Sequence, residues 1–297
     1  MNQRIERVRA AMQAQGLTQM IVSDPKSVWY LTGVEVEPYE RLLALYLPVC
    51  GEPVLFLNRL FNVPDPPCKA MWHDDVQDPV AQIAGVVDAA ATLGIDKEWP
   101  AKFLIPLMQH CPGMRVVLAS DCVDDCRACK DEAEQALMRE ASRINDEVNA
   151  AVKQYVRVGM TEKQVARFVD EQYLAHGCEG NSFTTIVSFG ANAADPHHEP
   201  DNTVLQPGQC VLVDMGCRKN RYCSDMTRTW FAGSPTEKQA AVHELVHRAN
   251  LAAEALVKPG VRLCDVDAAA RQVIAQAGYG AYFNHRLGHF IGQTDHE

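Results

Sequence analysis

CVLVDMGCRKNRYCSDMTRT, residues 210–229, is the stretch on which the reading of this chain turns. Two β-rich runs, CVLVDMG (210–216) and SDMTRTWFAG (224–233), flank the polar turn CRKNRY. Each run carries one aspartate, Asp214 and Asp225, eleven positions apart. Side chains alternate between the two faces of a strand, so pairing of the runs as a hairpin lets both carboxylates face one pocket. A single apolar-flanked aspartate is satisfied by a structural hydrogen bond. Two of them, with histidines on either side in sequence, ask for more, because a buried carboxylate must be paired or bind a metal.

Working outward, ADPHH (194–198) places His197 in a loop after the strand SFTTIVSFG (182–190), seventeen positions before Asp214. Downstream, HRLGHFIGQTDHE (285–297) adds His285, His289 and His296. Carboxylates with neutral imidazole form a ligand set for hard or borderline divalent ions such as manganese, cobalt or zinc. In the last run Gln293 and Asp295 alternate with Thr294 and His296, which reads as a strand with a polar face.

Two other motifs compete for a metal. Cys122, Cys126 and Cys129 have a spacing that could hold three corners of an iron–sulfur cluster. They lie in a presumed linker, with a helix cap immediately after and no glycine-rich cofactor segment, and read as a cysteine-rich linker. HELVH (243–247) matches the zinc pattern of two histidines one helical turn apart. There the apolar stripe runs Val242, Leu245 or Val246, Ala249, Ala252 and Leu256, and His243 and His247 flank it as ordinary half-exposed histidines do.

The frame around these motifs has two parts. Residues 1 to about 120 alternate helix and strand patterns: a helix over Arg4–Gln15, strands at Met20–Ser23, in RLLALYLP (41–48), PVLFL (53–57) and RVVLAS (115–120). From Asp131 a long amphipathic helix begins, with Asp131 as cap and Glu134 answering it. Thr161 opens another helix with the same box, Ser234 opens a third in SPTEKQ, and LCDVDAAARQVIAQAG (263–278) is closed by Gly278. The expectation is an α/β domain over residues 1–122 and an α+β domain over 130–297.

Composition fits a globular chain, with 47% apolar and 22% charged residues. A net charge of -10 argues against nucleic-acid binding, which needs a basic face. No apolar run is long enough to span a membrane, and MNQRIERVRAAMQAQG lacks the core of a secretory signal. Eleven scattered cysteines, an odd number, read as reduced, mostly buried thiols of a cytosolic (cytoplasmic) protein.

Taken together, the PHH of 196–198, the D-x10-D-x-T-R-T of 214–229 and the H-R-x-G-H-x-I-G-x3-H-E of 285–297 resemble the metal-dependent proline peptidases, Xaa-Pro aminopeptidase and prolidase, of the pita-bread fold. The first 120 residues, with YLTG and ERLLALYLP, resemble that family's creatinase-like N-terminal domain. The resemblance implies two divalent ions, manganese first, with cobalt or zinc as alternatives. By it Asp214 chelates one ion, Asp225 bridges both and His289 binds the other. His197 and His296 hold the substrate and stabilise the developing oxyanion, and His285 binds near its proline end. Substrates would be proline-containing peptides or dipeptides, and relatives commonly form homodimers. The family site also uses two glutamates from strands beyond the HE motif. The 297 residues are therefore expected to be a C-terminally truncated form that, expressed alone, shows no measurable peptidase activity, binds at most one ion weakly and is less soluble than an extended chain. A creatinase-like hydrolase that dispenses with the metal ligands and a non-catalytic peptide-binding module are the alternatives. Methionine aminopeptidases share the pocket but lack a large N-terminal domain like this one.

Overall fold

The computed structural model describes residues 3–297. Its backbone contacts divide the chain into two units, Met1–Lys130 and Asp131–Glu297. No helix among the described residues is long and apolar enough to cross a membrane.

The first unit runs α1 (Gln3–Ala14), β1 (Gln19–Val22), α2 (Pro25–Thr32), β2 (Ala44–Pro48), β3 (Val54–Asn58), β4 (Lys69–His73), α3 (Pro79–Ala84), β5 (Leu93–Ile95), α4 (Ala101–His110), β6 (Val116–Leu118) and α5 (Asp121–Ala128). Its six strands form one mixed sheet in the order β4-β3-β2-β1-β5-β6. Every residue of β1 and β3 is buried, as in strands covered on both faces. One cover is built from Val8, Met12, Leu31, Cys122 and Cys126, the other from Val80, Ile83, Trp99 and Leu107. Residues 121–128 are therefore not a cysteine-rich linker. They form α5, whose Cys122 and Cys126 fill the core, while Arg127 reaches back to pair with Asp24, the cap of α2, at 2.9 Å.

The second unit opens with α6 (Glu132–Tyr155) and α7 (Glu162–Ala175), both started by complete capping boxes, Asp131 with Glu134 and Thr161 with Gln164. Then follow β7 (Gly180–Asn181), β8 (Ile186–Phe189), β9 (Cys210–Met215), β10 (Cys217–Lys219), β11 (Tyr222–Cys223), β12 (Met226–Phe231), α8 (Glu237–Glu254) and α9 (Leu263–Gln276). The strands make two small antiparallel sheets, β11-β10-β7 and β12-β9-β8. Strict alternation in β9 sends Val211, Val213 and Met215 into a core shared with Ile144, Val148, Val165 and Val169 of the two helices. Leu212 and Asp214 face the other way.

Three local readings are corrected. The cap of α8 is Thr236, not Ser234: Thr236 and Gln239 form the box, and Gln239 Nε2 also donates to the Gly208 carbonyl at 3.4 Å. That long-range bond favours the later of two overlapping cap signals. The buried line of α8 is Leu245, Ala249 and Ala253, the two alanines packing with Ala270 of α9, while Val246 and Leu256 stay exposed. Residues 291–297 form bends rather than a strand, because their backbone groups close on themselves: Gly292 N donates to Thr294 O and Glu297 N to Phe290 O.

Candidate metal centre

Strands β9 and β12 pair with Asp214 opposite Thr227 and Met215 opposite Met226. Strands β10 and β11 pair with Arg218 opposite Cys223 and Lys219 opposite Tyr222. One register runs through both, so the whole is a single hairpin in which Gly216 lies opposite Asp225. Its tip is Asn220-Arg221, with φ of 48° and 69°, the left-handed pair that a two-residue hairpin turn requires. In an antiparallel ladder, opposite residues and those two positions on share a face. Asp214, Gly216, Asp225 and Thr227 therefore line one face, and the core-forming residues line the other.

Neighbours fix this face. Thr227 Oγ1 donates to Asp214 Oδ1 at 2.7 Å. Asn145, fully buried on α6, donates to the Met215 carbonyl at 3.0 Å and accepts from Tyr173 at 2.6 Å. Behind Asp225, Ser182 Oγ donates to the Ser224 carbonyl at 2.7 Å, in space that a side chain at 216 would occupy. That bond explains the glycine.

The C-terminal segment closes over the hairpin, tied by Cys223 N donating to the Gly292 carbonyl at 2.7 Å. His289 Nε2 lies 3.3 Å from Asp225 Oδ2, and its Nδ1 lies 2.9 Å from the Phe290 carbonyl. A carbonyl only accepts, so Nδ1 carries a proton, and Nε2 faces a carboxylate oxygen. A proton or a metal ion can sit between Nε2 and that oxygen, and the donor set fits a divalent ion. The His296 ring stacks on His289 with centroids 3.7 Å apart. Arg286 Nη2 approaches His296 Nδ1 at 3.1 Å. A guanidinium only donates, so neutral His296 presents Nε2–H as a free donor.

The structure thus brings Asp214, Asp225, His289 and His296 together. It leaves His285 exposed, with Nδ1 donating to the Arg286 carbonyl at 2.6 Å. His197 is exposed too; its backbone N–H donates to Asp195 Oδ1 at 2.9 Å, and among the described residues no hydrogen bond or ion pair joins its ring to the carboxylates. Thr227, Arg286 and Gly216 escaped the sequence reading. Each sits inside a quoted motif, but its partner comes from another element.

Burial pushes the Asp214 carboxyl above its ordinary value, against the opposing bond from Thr227. Burial also raises Asp225, and the charge of Asp214 adds to it. A folded pKa above the unfolded one means that ionisation costs stability above the folded pKa, and that the cost disappears as pH falls through it. Without metal, an Asp214→Asn variant is therefore expected to melt above the parent at neutral pH, the gap closing on acidification through the raised carboxyl range. Manganese or cobalt uptake by the parent should weaken over the same range, because ions compete with protons for these oxygens. Thermal melts and metal titrations across pH check both; a gap independent of pH refutes the assignment.

The competing motifs do not converge. His243 Nε2 faces the Thr229 carbonyl at 3.3 Å, and the His247 side chain is 58% exposed, with Glu244 3.9 Å away. Among the described residues, the group whose ligand atoms all lie within 4.8 Å of one another is Glu162, His198 and Asp201. The Glu162 carboxylate there already accepts four N–H donors, at 2.7–3.1 Å. Those hydrogens occupy the directions an ion would need, so we read the group as a clamp. Asp214, Asp225 and His289 are more spread, as ligands shared by two ions about 3.5–4 Å apart would be.

A model of metallopeptidase family M24 matches residues 136–297, and a model of the creatinase/prolidase N-terminal domain matches residues 4–129. An uncharacterized peptidase of Staphylococcus epidermidis is 31% identical over 304 residues, covering 99% of this chain and 84% of that protein. Dipeptidase PepE from Mycobacterium ulcerans superposes with a TM-score of 0.93 at 35% identity, over 99% of this chain and 81% of its own. A prolidase from Thermococcus sibiricus does so with a TM-score of 0.91 at 29% identity, over 99% and 82%.

Proposed function

The chain belongs to metallopeptidase family M24, with a creatinase/prolidase N-terminal domain ahead of a pita-bread domain, and from that premise we propose that it hydrolyses the bond before proline in dipeptides or short peptides. The observation that carries the reading is the shared face of Asp214 and Asp225 with Nε2 of His289 turned onto it. Asp214 would hold one divalent ion, Asp225 would bridge two and His289 would hold the other. Manganese is the first choice, with cobalt or zinc next. Such ions, when bound, polarise the scissile carbonyl and activate water.

The chain's own residues supply the rest. His296, fixed by Arg286, offers Nε2–H to an oxygen that gains charge. His197, on an exposed loop, would offer a second imidazole, and His285 would help bind the substrate near its proline end. The likeness to proteins named dipeptidase and prolidase favours dipeptides. Eleven unpaired thiols suit a reducing compartment such as the cytoplasm.

Hydrolysis by the protein as its gene encodes it tests the reading. An Xaa-Pro dipeptide is expected to be cleaved about tenfold or more faster than the matching Xaa-Ala dipeptide. Chelation should abolish cleavage, and manganese or cobalt should restore it. Equal rates on both substrates, or indifference to chelation, overturn it.

A further inference from the structure

ADPHH carries two adjacent histidines, and the structure gives them opposite surroundings. The His198 side chain is 15% exposed and turned inward, with Nε2 2.7 Å from Glu162 Oε2. His197 is exposed. Glu162 is fully buried at the first position of α7. A fully buried carboxylate needs a reason, and its hydrogen bonds supply one.

Each Glu162 oxygen accepts twice. Oε1 takes Phe189 N at 2.7 Å and Asn192 Nδ2 at 3.0 Å. Oε2 takes His198 Nε2 at 2.7 Å and Asp201 N at 3.1 Å. These donors come from the end of β8, from the loop's early and middle parts, and from its return. The backbone repeats the closure, with Glu162 N donating to Thr203 O at 3.2 Å and Lys163 N to Asp201 O at 3.1 Å. One carboxylate therefore ties the end of β8 at one point and the loop of residues 190–201 at three, and His197 stands on that loop beside the clamped His198. Bonds to an ionised acceptor are the stronger kind, and leaving such buried donors without a partner is costly.

We propose that Glu162, acting through His198, is a positioning residue for His197: it holds the loop in the one shape that presents the neighbouring imidazole to substrate. The proposal rests on the reading of His197 as substrate-facing, given above. Substrate-contacting groups must be held to within about 0.5 Å by the residues behind them, and an exposed loop without such a tie does not achieve that. His198 serves as the hinge pin because it donates to the buried Glu162 while its neighbour His197 is exposed.

The test compares His198→Leu, which removes the donor, with His198→Gln, which keeps an N–H within reach; Glu162→Gln is added where it folds. Amide hydrogen exchange is read first, since it needs no substrate. His198→Leu is expected to speed exchange at Phe189 and Asp201 by about tenfold or more, with protection in α6 and β9 unchanged. His198→Gln should restore most of the protection. Imidazole NMR should show His197 passing from a single ordered signal to an averaged one in His198→Leu. With an Xaa-Pro dipeptide, His198→Leu should lower kcat/KM by about tenfold or more at unchanged metal content. Its effect should not add to that of His197→Ala, since both remove the same placed ring. Unchanged loop exchange in His198→Leu, fully additive kinetic losses, or metal uptake that disappears with Glu162→Gln but survives loss of Asp214 and Asp225 would each overturn the proposal. Absence of hydrolysis by the unsubstituted protein would refute the functional reading alone, and loop exchange would still decide the clamp.

Discussion

An Asp225→Asn variant is expected to lose divalent-ion affinity by about a hundredfold or more, the upper end of what altering groups behind a ligand costs. Three features of the site combine in that number. Asp225 is the carboxylate that faces His289 Nε2, at 3.3 Å. It also shares its face of the hairpin with Asp214, so it can serve an ion on either side. An asparagine there keeps the shape but can turn an N–H toward the Nε2 lone pair, filling with a hydrogen bond the place a cation would take. The substitution also removes a carboxyl whose ionised form burial and the neighbouring Asp214 charge disfavour, so the metal-free fold should be as stable as the parent or slightly more so. Loss of metal without loss of stability is the signature to look for. His243→Ala with His247→Ala is the control, and metal content there should not change. Metal analysis after dialysis against limiting manganese, paired with melts in chelator, reads both. Retained metal in Asp225→Asn, or its loss in the double-histidine variant, would move the centre to α8.

A Gly216→Ala variant is expected to lose about 3 kcal/mol of stability, at or above the upper end of ordinary overpacking. The added methyl would run into the Ser224 carbonyl oxygen and the Ser182 hydroxyl. Neither atom is the free end of a flexible chain. Ser224 is tied through its N–H to the Cys217 carbonyl at 2.9 Å, and the Cys217 N–H donates to Ser224 Oγ at 3.0 Å. Ser182 is held by its own bonds to Ser224 and to the Gly216 carbonyl. The backbone at 216 must therefore move, and Asp225 opposite moves with it. The melting temperature should fall by about 6–12 °C for a domain of this size. Metal affinity should fall as well, although no ligand has been touched. Adding Ser182→Ala removes one of the two collisions and should recover part of the loss. A Gly216→Ala protein that melts with the parent would show that the hairpin is not held as described.

Local signals were the most legible part of the fold. Asp131 with Glu134 and Thr161 with Gln164 are boxes closed within one helical turn, and both are present. The overlap in SPTEKQ could not be decided locally, since both Ser234 and Thr236 have a partner three positions on, and the Gly208 carbonyl favours the second. CVDDCRAC reads as a linker in sequence because it lies where the pattern changes, with a helix cap immediately after it. Its two buried cysteines show their purpose only against α1 and α2.

The sequence alone placed both aspartates on β-rich runs joined by a polar turn, and a period of two is enough to put them on one face once the register is set. It also named the residue types of a divalent-ion site and the family they resemble. Only the tertiary structure decided which imidazoles join them. His289 and His296 arrive from beyond two helices, over a span whose path no local period fixes, whereas among the described residues no hydrogen bond or ion pair joins the rings of His197 and His285 to the carboxylates. Only the fold, too, separated the adjacent histidines of ADPHH, because the partner that turns His198 inward is a buried glutamate thirty-six positions earlier. Backbone periodicity acts over a few residues. Convergence across such distances depends on which surfaces bury each other, and that is settled by packing.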